Sequence, residues 1–141
     1  NMSNYIAQQT VKEMISNGTN ILGANVIVLG LTFKENCSDL RNSKVADLVN
    51  DLRDFGCNVF VHDTLADPKQ AQNEYSITLS DWSQLPQNVD AIVAAVAHSY
   101  YTAQPLSNIL APLKSGGVFI DIKSVYSPEE VRATGANLWR L

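Results

Sequence analysis

The chain has 141 residues, 45% of them hydrophobic, and a net charge of −4. That is one domain's length with enough apolar content to bury a core without staples, and the acidic balance excludes the basic face of a nucleic-acid module. No apolar run approaches the roughly 20 residues of a membrane span, and no charged start plus apolar stretch marks a signal peptide. A cytoplasmic protein without membrane or nucleic-acid partners is expected, with Cys37 and Cys57 as reduced thiols.

The first predicted element is a helix, because Met2, Tyr5, Ile6, Gln9, Met14 and Ile15 include several i, i+3 and i+4 spacings and Asn17-Gly18 ends the pattern. Its stripe either packs on the chain's own sheet or stays exposed for a partner. No cap or strand precedes it, which is how a piece of a longer protein would start. Val26-Ile27-Val28-Leu29 reads as a buried strand over Asn25 to Leu29. After a loop, Ser43 caps a helix whose apolar positions Val45, Leu48, Val49, Leu52 and Phe55 keep helical period until Gly56. Val59 to His62 is the second strand, ending in Asp63. Asp67-Pro68 starts a short helix, Ile77 to Leu79 makes a short strand, and Asp81-Trp82 begins a turn or brief helix.

Ala91 to Val96 is apolar throughout, as a central parallel strand should be. Leu106, Ile109, Leu110 and Leu113 form a helix face before Gly116-Gly117, and Lys114 beside them reads as a surface lysine remote from any site. A strand from Val118 to Ile122, a helix start at Ser127-Pro128 and a last strand from Asn137 to Arg140 complete the chain. This alternation predicts an α/β fold, a Rossmann-like doubly wound parallel sheet.

The loop Gly30-Leu31-Thr32-Phe33-Lys34-Glu35-Asn36, running on to Asp39-Leu40-Arg41-Asn42-Ser43-Lys44, is the first strand-to-helix crossover. Ligands of such sheets bind outside the carboxyl ends of the strands. Yet the loop lacks the G-x-G-x-x-G fingerprint, and the side chains after Gly30 obstruct the close approach a pyrophosphate needs. Lys34 is placed to aim an ammonium at phosphate or sugar oxygens, the alternative being a solvated loop lysine. Phe33 is either a pocket wall or core. Arg41 reaches a phosphate or, as its place against a helix dipole favours, braces the loop through Asp39. Lys123 follows a later strand on the same sheet edge. His98, with Tyr100-Tyr101, lines the rim or satisfies backbone groups, and Asp63 is read as capping the turn from Leu65 to Pro68. No histidine and cysteine spacing suggests a metal site.

The string from Leu29 to Lys44 resembles the signature loop of the C-terminal, UDP-binding domain of the UDP-glucose/GDP-mannose dehydrogenase family. Val61-His62-Asp63, Val96-Ala97-His98 and Val118-Phe119-Ile120-Asp121-Ile122-Lys123 agree with it in order. Within that family the wording is most similar to bacterial enzymes that oxidise UDP-N-acetylhexosamines to uronic acids for surface polysaccharides. The resemblance implies that residues 1–20 end an interdomain and dimerisation helix and that 21–141 form the UDP-sugar-binding domain. It implies Phe33, Lys34, Arg41 and Lys123 as substrate-binding residues. It further implies NAD, held mainly by an N-terminal portion of the same protein, a UDP-sugar substrate and a homodimer. The family's cysteine nucleophile belongs to a motif not present here, so Cys37 is structural and this piece alone is expected to be inactive. The alternative is a free-standing Rossmann-like binding or oligomerisation module without catalysis.

Overall fold

The computed structural model describes residues 1–141. Five strands, β1 (Asn25–Leu29), β2 (Asn58–His62), β3 (Val89–Ala94), β4 (Leu113–Asp121) and β5 (Asn137–Arg140), form one sheet in the order β2-β1-β3-β4-β5. Every pairing is parallel. The central strands are apolar on both faces because both faces are covered. Val26, Val28, Ala91, Val93, Val118 and Ile120 point into one core, and Ile27, Leu29, Ile92 and Phe119 into the other. The first core is roofed by α1 (Met2–Ser16), α2 (Lys44–Asp54) and α3 (Pro68–Tyr75), through residues such as Met14, Leu48 and Ala71. The second is closed by α4 (Ser99–Thr102), α5 (Leu106–Ile109) and α6 (Pro128–Ala133), through Tyr101, Ile109 and Val131.

Strand order reverses between β1 and β3, so their carboxyl ends part and leave a crevice. Gly30 shapes it. The residue has φ of +95°, and a Cβ there would stand 2.5 Å from the Val96 Cβ, so only glycine lets the loop after β1 close on the chain leaving β3.

Several expectations are corrected. Asn1 does cap α1, its side chain accepting from the Asn4 N–H. The buried stripe of α1 is Ser3, Ile6, Ala7, Thr10, Val11 and Met14, while Met2 and Ile15 are each 58% exposed. Small residues on that stripe let α1 lie close on α2, and the Thr10 hydroxyl is satisfied by the Ile6 carbonyl. The Ile77–Leu79 strand shrinks to one bridge, Val61 to Leu79. Leu113 belongs to β4 rather than to the preceding helix. Lys114 is no idle surface lysine, since its Nζ lies 2.6 Å from Asp90 Oδ1 and donates to Thr19 Oγ1 at 3.0 Å. Because Asp90 Oδ2 accepts the Asn25 N–H, this pair ties together the amino ends of β1, β3 and β4.

Both cysteines are free thiols, Cys57 buried in the first core and Cys37 in the signature loop. At the end of that loop the Ser43 Oγ accepts the Ala46 N–H at 3.2 Å and donates to the Leu31 carbonyl at 2.6 Å. One hydroxyl therefore caps α2 and ties the loop's two ends. Ser43→Ala is expected to lose about 1–2 kcal/mol, read as a lower urea midpoint with an unchanged m-value. A midpoint equal to wild type would count against both roles.

Candidate functional site

The crevice at the carboxyl ends of β1, β3 and β4 is a cleft of about 230 Å³. It is lined by Ala95, Val96 and Ile122, and one wall is α1 through Met2, Ser3 and Ile6. Facing that wall stand Thr32, Phe33 and Lys34 from the loop, Lys44 and Val45 from the first turn of α2, and Lys123 after β4. Three lysines thus converge on one cleft, although they lie on separate elements. All three are exposed, and none is engaged in a salt bridge. Phe33 is 58% exposed and belongs to neither core, so it presents a bare aromatic face to the opening.

Three of the four residues singled out from sequence, Phe33, Lys34 and Lys123, are brought together here. Arg41 is not. It lies in a neighbouring shallow depression with Phe33, Asp39 and Asn42, and its guanidinium makes a two-point bond to Asp39, Nε to Oδ1 and Nη2 to Oδ2, both 3.0 Å. The Arg41 bond and backbone N–H lower the Asp39 pKa from its usual value. The brace is therefore the role its geometry carries. Lys44 was not singled out, but a signal existed. It is the first residue of α2, where a cation opposes the helix dipole unless an anion is near.

Lys123 is oriented by Asp121, whose buried carboxylate accepts the Tyr126 N–H at 3.0 Å and the Val125 N–H at 3.3 Å. These bonds fold the turn that carries Lys123 out over the cleft. The Lys34 loop is oriented from behind by Asp63. One Asp63 oxygen accepts the N–H groups of Leu31 at 2.6 Å and Thr32 at 3.1 Å, and the other those of Leu65 and Ala66 at 2.8 and 3.2 Å. Asp63 thus caps the turn as expected and also does something sequence did not reveal: it occupies the donors of the β1 loop. Burial raises its pKa, but the bonds from His98 and these N–H groups prevail and hold it down to about 2.

His98 is buried, its Nε2 3.0 Å from Asp63 Oδ2 and 3.1 Å from Thr32 Oγ1, while its Nδ1 accepts the Asn36 N–H at 2.9 Å. An Nδ1 that accepts from an amide carries no proton, so the ring donates from Nε2. His98 therefore satisfies backbone and does not reach into the cleft. Tyr101 holds its neighbourhood: the rings stack with centroids 6.0 Å apart, and the Tyr101 hydroxyl donates to the His62 carbonyl at 2.9 Å. Cys37 accepts the Asp39 N–H at 3.4 Å, a bond internal to the loop.

The dinucleotide cofactor of many Rossmann-like sheets finds no cradle at β1. The Gly30 approach is closed by Val96, and the Leu31 and Thr32 amides are already taken by Asp63. What remains open is the cationic cleft beside the loop.

The UDP binding domain model of the UDP-glucose/GDP-mannose dehydrogenase family matches residues 27–128. Over its whole length the chain is 39% identical to protein CapL of Staphylococcus aureus, covering 32% of that protein. It is 36% identical to UDP-N-acetyl-D-glucosamine 6-dehydrogenase of Salmonella typhi over 92% of the chain and 30% of the relative. Among solved structures, the NDP-N-acetyl-D-galactosaminuronic acid dehydrogenase of Methanosarcina mazei Go1 superposes with a TM-score of 0.83 at 25% identity, over 99% of this chain and 29% of that one. The chain thus spans about 30% of the length of the relatives it matches.

Proposed function

The chain belongs to the UDP-glucose/GDP-mannose dehydrogenase family as its UDP-binding domain, and from that premise we propose that its cleft holds the nucleotide part of a UDP-sugar for oxidation at C6. The sugar class is a UDP-N-acetylhexosamine, the substrate named for the Salmonella relative. The observation that carries this reading is the convergence of Lys34, Lys44 and Lys123 on one cleft at the switch point of the sheet. Ammonium groups at phosphate oxygens give charge-assisted bonds, and Phe33 offers an apolar face beside them. Arg41 braces the loop through Asp39.

The work of this chain is binding and orientation. A nucleotide fixed by three cations places its sugar at a defined spot beyond the cleft, and such positioning is a large part of what an oxidising site needs. NAD and the reacting cysteine belong to the N-terminal portion of a longer, cytoplasmic protein that makes UDP-uronic acids for polysaccharide biosynthesis. No helix here is long and apolar enough to cross a membrane. Residues 1–20 end the interdomain helix and 21–141 form the binding domain. The outward Tyr5 and Ile15 of α1 meet the rest of the protein or its homodimer partner.

Calorimetric titration of the chain should show weak binding of UDP in preference to NAD, because one wall of the interdomain cleft is present. Preferential binding of NAD would overturn the assignment.

A further inference from the structure

The segment that presents Lys34 is held at both ends by one buried pair of side chains that follow other strands. Ahead of Lys34, the Leu31 and Thr32 amides rest on the Asp63 carboxylate at the end of β2. Behind it, the Asn36 amide rests on Nδ1 of His98, which follows β3. Asp63 and His98 are themselves joined at 3.0 Å, with their side chains 0% and 1% exposed. The middle is tied as well: the Thr32 hydroxyl, in contact with His98 Nε2, donates to the Lys34 carbonyl at 3.1 Å. Asn36 has a φ of 57°, a left-handed conformation that asparagine adopts more readily than most residues, and its side chain accepts the Ser99 N–H at 2.9 Å.

We propose that Asp63 and His98 are positioning residues for nucleotide binding, a linked carboxylate–imidazole clamp that fixes the backbone of residues 31–36 so that Lys34 projects into the cleft. The inference rests on the reading of that cleft as the nucleotide site. Neither residue touches the ligand. Their effect is on what binding has to order: with the backbone already fixed on both sides of Lys34, only its exposed side chain loses freedom when a phosphate arrives. Without the clamp the loop samples other conformations, and the apparent affinity falls by the fraction of molecules in the competent one.

The two nitrogens of His98 are separable by substitution. An asparagine places its oxygen near the position of Nδ1 and keeps an acceptor for the Asn36 amide. A glutamine places its amide near Nε2, keeps the donor to Asp63 and abandons Asn36. In calorimetric titrations of the 141-residue chain with UDP, His98→Gln is expected to weaken binding roughly tenfold, and His98→Asn distinctly less. Val131→Ala, a cavity in the opposite core, controls for stability and should bind UDP as wild type does. Wild-type affinity in both His98 variants, or a loss in Val131→Ala that matches theirs at equal Tm, overturns the clamp. A wild-type affinity for Lys34→Ala is a different failure, since it removes the site reading itself. Should the His98 variants not fold, ¹⁵N chemical shifts of the wild-type ring decide: an unprotonated Nδ1 supports the clamp, and a protonated one overturns it.

Discussion

Asp63→Ala is expected to cost about 3–5 kcal/mol of stability, because it strips acceptors from several buried groups at once. Four backbone amides, those of Leu31, Thr32, Leu65 and Ala66, and the His98 ring all donate to this carboxylate. Its side chain is fully buried, so water does not replace the lost partner. An unfolding free energy from urea titration within about 1 kcal/mol of wild type would show that these bonds are together dispensable. The same residue sets an acid limit. Its pKa in the fold, about 2, lies below the ordinary carboxylate value, so its contribution is present above that ordinary value and disappears as pH falls through the folded one. Between about pH 4 and pH 2, stability should therefore fall more steeply in the wild-type chain than in Asp63→Ala.

What sequence could disclose depended on whether the cause was local. The strands announced themselves through runs such as Val26 to Leu29 and Ala91 to Val96, and the caps Ser43, Asp67 and Ser127 stand where their residue types predicted. Gly116-Gly117 misled, because a glycine pair usually ends an element. Here Gly117 lies inside β4, since the Leu113 side chain fills the space a Cβ would need, at 2.5 Å. The face of α1 misled for a related reason. The bulky Met2, Tyr5 and Ile15 weighed most in the pattern, whereas close packing on α2 selects the smaller Ser3, Ala7 and Thr10. The four-residue α4 was missed, being held by the Tyr101 side chain rather than by a periodic pattern of its own.

The site divides the same way. Lys34 was legible from its place after a buried strand, and Lys123 from its place after another. That they share a cleft follows from β3 lying between β1 and β4, which the sequence does not state. The Asp63–His98 pair was not legible, because residues 35 apart meet only once β2, β1 and β3 are laid side by side. Buried polar partners of this kind are chosen by tertiary geometry, and their sequence trace is only a polar residue at a strand end.

The largest functional effect is expected at Lys34. In a full-length enzyme carrying this domain, Lys34→Ala removes a charge-assisted contact worth on the order of 1.5–3 kcal/mol. At about 1.4 kcal/mol per tenfold, kcat/KM should fall roughly 10- to 150-fold with the fold intact. The fold should survive because the ammonium is exposed and bonds to nothing within the chain, while the loop backbone is held by Asp63, His98 and Thr32. Lys34→Arg should also be impaired, since a longer planar group does not reproduce a point charge on a clamped backbone. Lys114 is unsuitable as a control, being engaged by Asp90. Lys69 serves instead: it is exposed on α3, its side chain makes no hydrogen bond or ion pair, and it does not line the cleft. Lys69→Ala should leave kcat/KM unchanged. If Lys34→Ala and Lys69→Ala retain equal activity, Lys34 is an ordinary solvated lysine, and the reading of this cleft as the nucleotide site falls with it.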